Sequence, residues 1–212
     1  MTASVSTEPS DRREVNRRSF LYATTAAVGA VGAATAAWPL IDQMNPDARV
    51  RAAGDLIEVD LAKLRPAEQR VVRWKNLPIF LVKRTPAMLQ AMQDKTLVAR
   101  LIDAASQARQ QPSYAKNWHR SIDPDYAVLV GVCTYIGCIP TYFEKATPFS
   151  MEGGYICPCC AAHYDPAGRA FAGTPAQYNL AVPPHSFAGP SKILLGKNAS
   201  DELFTIESVE RI

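Results

Sequence analysis

The sequence predicts a mainly β protein with an N-terminal transmembrane helix, and three observations predict it. An uncharged run from Phe20 to Ile41 directly follows an arginine pair, Arg17-Arg18. Beyond it, short segments alternate apolar and polar residues between turn-forming ones, as antiparallel strands with one buried face do. All five cysteines fall between residues 133 and 160, too close together for a general disulfide framework, so they mark one site. With 212 residues and 48% hydrophobic content, the chain can bury a core of its own. The net charge is only +3 and no basic cluster interleaves with aromatics, which argues against nucleic acid as a partner.

Residues 1–16 are polar, with Arg12 and Arg13 among Ser, Thr, Glu and Asp, and are expected to form a cytoplasmic tail. Residues 17–41 open on Arg-Arg-Ser-Phe-Leu, a twin-arginine export pattern, and continue without charge for the ~20 residues that a hydrocarbon core of ~30 Å requires. The run is rich in Ala, Gly, Val and Thr, hence only mildly hydrophobic. Two fates stay open: cleavage at Ala34-Thr35-Ala36, or retention as an anchor with Trp38 at the far interface. Four arginines before the run and Asp42 after it place the N-terminus in the cytoplasm and everything later outside. Residues 42–55 show no apolar period and read as a linker.

From 56 to 212 the chain reads as one extracytoplasmic head. Residues 56–62, 70–75 and 78–84 alternate as strands, and 126–132 form a short apolar strand that delivers Cys133. Thr85-Pro86 predicts a helix start. Met88, Leu89, Met92, Leu97, Val98, Leu101, Ile102 and Ala105 extend it at roughly helical spacing, a helical insertion between 85 and 110. Met88 and Met92 are expected as core filler. Residues 168–171, 178–182 and 192–196 continue the strand rhythm, and 202–209 are expected to close the sheet. His119, His163 and His185 are isolated and expected to make structural or solvent contacts, although His163 could reach a site near Cys160 after a register shift.

The cysteines form two boxes, Cys133-Thr134-Tyr135-Ile136-Gly137-Cys138 and Cys157-Pro158-Cys159-Cys160-Ala161-Ala162-His163-Tyr164-Asp165. Together they resemble the cluster-binding loops of the Rieske iron-sulfur proteins, which read C-T-H-L-G-C and C-P-C-H-G-S-x-Y-D. The arginine pair, the apolar run and Gly173-Thr174-Pro175-Ala176, which is similar to the family's proline loop, extend the resemblance over essentially the whole chain. It implies an antiparallel β-sandwich head with a small cluster-binding subdomain at about 131–180, a hinge at 42–55, and a head in the periplasm on an inner-membrane anchor. It also implies a 2Fe-2S cluster carrying electrons from ubiquinol to cytochrome c1, with cytochrome b and cytochrome c1 as partner subunits.

By the same resemblance Cys133 and Cys157 occupy the cysteine-ligand positions, and Cys138 and Cys159 the disulfide that joins the loops. Tyr164 occupies the place of a tyrosine that hydrogen-bonds a ligand sulfur. The departures are equally specific. Tyr135 and Cys160 stand where the family has its two histidine ligands, which also meet the quinol. Ala162 stands where a serine hydroxyl bonds a cluster sulfur, Ala161 where the family has glycine, and Gln177 where the proline loop has a second proline. Gly137 and Pro175 are kept.

Cys160 could serve as a substitute ligand, whereas Tyr135, with a reference pKa of ~10, is a poor one. Thiolate ligation has a cost in potential. Rieske centres lie at ~−150 to +300 mV and all-cysteine plant-type clusters near ~−400 mV. A fall of at least ~250 mV, at ~59 mV per decade, removes four or more decades of driving force for accepting an electron from quinol. Quinol oxidation is therefore expected to be impaired or lost. Two rival readings remain: a cluster-free member keeping fold and complex contacts, with Cys133 and Cys157 free to close a second disulfide, and a zinc site on Cys133, Cys138, Cys157 and Cys160.

Overall fold

The computed structural model describes residues 16–44, 56–200 and 203–212. Residues 1–15 of the expected tail at 1–16, and residues 45–55 of the expected hinge at 42–55, lie outside the described residues. The chain divides into two compact units, Met1–Ala48 and Arg49–Ile212.

The described residues of the first unit hold one helix, α1 (Arg17–Asp42), 26 residues long and apolar enough to cross a membrane. At ~1.5 Å per residue it spans about 39 Å, more than a hydrocarbon core. Its threonine hydroxyls are satisfied within the helix: Thr24 donates to the Phe20 carbonyl at 2.8 Å, Thr25 to Leu21 at 2.8 Å and Thr35 to Val31 at 3.0 Å. That internal bonding is what an apolar solvent demands of polar side chains.

Among the described residues, the strands of the second unit are β1 (Ile57–Asp60), β2 (Gln69–Trp74), β3 (Leu77–Lys83), β4 (Tyr126–Val130), β5 (Thr141–Phe143), β6 (Gly154–Ile156), β7 (His163–Tyr164), β8 (His185–Gly189) and β9 (Lys192–Leu195). They form three three-stranded antiparallel sheets, ordered β1-β9-β8, β2-β3-β4 and β5-β6-β7. The middle sheet works on both faces. Phe80 and Val82 of β3, with Ala127 and Leu129 of β4, pack into a core that includes Cys133, Cys157, Tyr155 and Tyr164. Their neighbours Ile79, Leu81, Val128 and Val130 pack instead with Val59, Trp74, Ile193 and Leu195. A strand buried on both faces needs a continuous apolar run, which is why β3 and β4 carry Ile-Phe-Leu-Val and Ala-Val-Leu-Val. One face of this sheet thus forms the floor under the cysteines.

Three sequence expectations are corrected. The insertion after residue 85 is two short helices, α2 (Pro86–Ala91) and α3 (Lys95–Val98), rather than one. Thr85 caps the first, its Oγ1 accepting from the Met88 amide at 3.2 Å. Asp94 is extended, and its carboxylate accepts from the Thr96 and Leu97 amides at 2.7 and 3.2 Å. That cap stops one helix and starts the next. Met88, Met92, Leu97 and Leu101 are buried, but Ile102 and Ala105 are exposed.

The described part of 202–209 closes no sheet. It holds a 3₁₀ turn, Ile206–Ser208, and its buried Phe204 and Ile206 mimic strand alternation without a ladder. The first sheet is completed instead by β8. Segments 168–171 and 178–182 likewise form bridges and isolated bonds, such as Leu180 N–H to the Gly168 carbonyl at 2.8 Å, instead of strands.

Candidate metal centre

The two cysteine boxes are built alike. In the first, the Gly137 amide donates to the Cys133 carbonyl at 2.9 Å and the Cys133 amide to the Cys138 carbonyl at 2.8 Å. In the second, the Ala161 amide donates to Cys157 at 2.9 Å and the Cys157 amide to Ala162 at 2.8 Å. Each box is therefore the same tight turn, closed at the fourth and fifth residues after its leading cysteine. The fourth residue sits at positive φ in both, +77° at Gly137 and +55° at Ala161. A disulfide joins Cys138 to Cys159 and so ties the turns to each other.

Cys133, Cys157 and Cys160 remain free thiols. Their sulfurs lie within 4.8 Å of one another, and Cys133 Sγ is 3.7 Å from Cys160 Sγ. The structure therefore forms no second disulfide between Cys133 and Cys157. Cys138 is equally lost to a zinc set, because its sulfur is already bonded. Cys133 and Cys157 are buried and Cys160 half-buried.

Tyr164, brought by β7, places its hydroxyl 3.4 Å from Cys133 Sγ. The same oxygen accepts from the Thr134 amide at 3.2 Å, and the Thr134 hydroxyl donates to the Tyr178 carbonyl at 2.7 Å. With those roles taken, the Tyr164 proton is left for the Cys133 sulfur or the Thr134 oxygen, which lies 3.1 Å away. Burial pushes the Cys133 thiol up, but hydrogen bonds from Tyr164, from the Tyr135 and Ile136 amides and from Cys157 outweigh it and draw its pKa below the usual thiol value. Burial raises Cys160 to about 12, with the other two sulfurs adding to the rise.

Ala162 is fully buried and offers only a methyl group beside the turn. Tyr135 is 49% exposed at the loop tip, next to exposed Ile136 and Ile139. Pro175 is half-buried in a loop that turns at Gly173, with φ +76°, and Ala176 joins the cysteine core.

No histidine belongs to the thiol group among the described residues. His163 lies on β7 with its ring 4.2 Å from that of Phe149, His185 is buried edge-on to Tyr114, and His119 bonds Ser121 at 2.9 Å.

Sequence reasoning missed the residues that brace the tip. Arg211 donates to the Thr134 and Tyr135 carbonyls at 3.3 Å each, and Gln110 clamps Arg211 by its backbone, donating to its carbonyl at 2.9 Å. Nothing in the local sequence of Arg211 marks such a contact across 77 residues. The turn after Tyr164 is held by Asp165, whose carboxylate takes the Ala167 amide at 3.0 Å, the Arg169 amide at 2.8 Å and the buried Arg169 guanidinium at 2.6 Å.

Comparison with known proteins adds the lineage. Residues 7–47 match the family model described as the ubiquinol-cytochrome c reductase Fe-S subunit TAT signal. The ubiquinol-cytochrome c reductase iron-sulfur subunit of Allochromatium vinosum is 42% identical over 186 residues, 86% of this chain and 89% of its own. That of Rhodospirillum rubrum is 40% identical over 86% of this chain and 93% of its own. The chain belongs to the Rieske iron-sulfur subunits of ubiquinol-cytochrome c reductase. A solved chain described as Hyperthermophilic respiratory Complex III aligns at 24% identity over 81% of this chain and 98% of its own with a TM-score of 0.44, too distant to bear on the site.

The family's cofactor is a 2Fe-2S cluster, and the residues present do not fit its Rieske form. That cluster needs two imidazoles on one iron, and among the described residues the grouped ligand atoms are thiols with no histidine. Spacing disagrees as well. Ligands on different irons of a cluster are separated by both metals and their bridging sulfides. By the resemblance Cys133 and Cys160 would face different irons, yet here their sulfurs are 3.7 Å apart.

Proposed function

We propose that this chain takes the place of the iron-sulfur subunit in a quinol–cytochrome c reductase of the inner membrane without performing quinol oxidation as the family does. One observation carries the reading: Tyr135 and Cys160 occupy the two histidine positions, on a chain that keeps the arginine pair, the apolar run and the Cys138–Cys159 disulfide. Cys133 and Cys157 keep the cysteine-ligand positions, and Tyr164 keeps its bond to the first of them. The helix at 17–41 anchors the chain with its N-terminus in the cytoplasm, and the head at 56–212 stands in the periplasm against cytochrome b and cytochrome c1. Ubiquinol would meet the head at the tip carrying Tyr135. No imidazole is there to accept its proton near neutral pH, the task for which a histidine is suited.

The test is low-temperature EPR and quinol–cytochrome c reductase assay on the purified complex. The wild-type chain is expected to give no Rieske signal and no turnover that depends on it. The double variant Tyr135→His/Cys160→His is expected to gain the signal. A Rieske signal from the wild-type chain overturns the proposal.

A further inference from the structure

We infer that Cys133, Cys157 and Cys160 form a mononuclear three-thiolate site for a zinc-class dication, with one coordination position left open. The inference deepens the reading above, since it names what the site holds if the Rieske cluster is excluded. The geometry fits one tetrahedral ion. Zinc–thiolate bonds of ~2.3 Å at the tetrahedral angle set ligand sulfurs ~3.8 Å apart. Cys133 and Cys160 are 3.7 Å apart, and all three sulfurs fall within 4.8 Å of one another. The remaining pairs need closing by no more than about 1 Å, a side-chain rotation. Cys138 and Cys159 are spent on the disulfide, so the protein supplies three ligands and not four.

Charge selects the ion class. Three thiolates around a dication leave a net single negative charge, and around a monovalent ion a double one. Cys133 and Cys157 are fully buried, where each uncompensated charge is costly. Hydrogen bonds from the Tyr164 hydroxyl and the Tyr135 and Ile136 amides reach Cys133, and the Ala162 amide reaches Cys160, enough to offset one charge more readily than two. Thiolate sulfur also favours zinc over magnesium or calcium. Because Cys160 is the only half-buried member, the open position lies on its side and takes water or another exogenous ligand. Three protein ligands with an open fourth is the arrangement of reactive rather than purely structural zinc.

The experiment uses the full-length chain purified in detergent, with metal content measured alongside alkylation mapping by mass spectrometry. The expected result is stoichiometric zinc, with Cys133, Cys157 and Cys160 protected from alkylation until a chelator is added. Cobalt substituted for zinc should give intense thiolate-to-metal absorption. Cys160→Ser, at the half-buried position, should weaken zinc retention by at least about tenfold. If that variant misfolds, the cobalt spectrum of the wild-type chain still decides. Stoichiometric iron, a disulfide among these three cysteines, or three thiols that alkylate freely without chelator overturns the site. Failure of zinc binding while the chain still co-purifies with its cytochrome partners sinks this inference alone; loss of co-purification with zinc retained sinks the functional reading alone.

Discussion

Ala161 shows how one residue can be out of step with its own turn. The two cysteine turns share a hydrogen-bond pattern, and the residue at the fourth position has positive φ in both. At Gly137 this is free, because glycine has no Cβ to clash. At Ala161 the left-handed conformation costs ~1–2 kcal/mol, partly offset by the lower entropy of alanine in the unfolded chain. Ala161→Gly is therefore expected to stabilise the head by roughly 0.5–1 kcal/mol, a rise of about 1–4 °C in Tm. Thermal melts of the two forms check it, and an unchanged or lower Tm would show that the turn is not strained by alanine. The resemblance had already set this residue against a family glycine in a tight turn, where strain is expected, and the backbone angle of +55° gives that strain its place.

At the scale of elements, the helix cap at Thr85-Pro86 and the strands β1 to β4 were legible because local chemistry decides them. Capping needs one hydroxyl, and a strand buried on both faces needs an unbroken apolar run. The small strands β5, β6 and β7 were not legible, since two or three residues are too few for a period to declare itself. Their register depends on glycine instead. Gly154 opens β6 at φ +141°, and a Cβ there would lie 2.3 Å from the Tyr164 carbonyl oxygen. Backbone cannot yield as a flexible side chain can. Gly154→Ala is expected to push β6 from β7, destabilise the head by ~2 kcal/mol or more, and displace the Tyr164 hydroxyl from Cys133. A Tm within about 2 °C of wild type would refute the close approach. The C-terminal segment was misread for the opposite reason: Phe204 and Ile206 alternate like a strand, yet have no ladder to join. Of the site, the sulfur positions were readable in the boxes, whereas the approach of Cys160 to Cys133 and the brace from Arg211 arise only in the tertiary fold.

At the scale of the whole molecule, the chain's three histidines all shift in the same direction, and this gives the head a characteristic acid response. Burial lowers His185 to about 4, against a smaller opposing hydrogen bond to Pro183, and burial with the Arg84 charge lowers His119 to about 4. His163 is lowered by burial as well. The cause is plainest at His185. Its Nδ1 lies 2.9 Å from the Pro183 carbonyl, whereas Nε2 is buried without an acceptor, so a second proton has nowhere to point. The folded histidine therefore stays neutral while the unfolded one, with a pKa near 6.5, takes up a proton. Stability is full above pH ~6.5 and is lost as pH falls toward 4. His185 alone accounts for about 2 kcal/mol between pH 7 and pH 5, and the other two add in the same direction. Denaturant titrations at the two pH values should show that loss, and His185→Phe, which keeps a ring against Tyr114, should shrink it while lowering stability at pH 7. Equal unfolding free energies at pH 7 and pH 5 would mean that the buried histidines are protonated in the folded head or solvated by it.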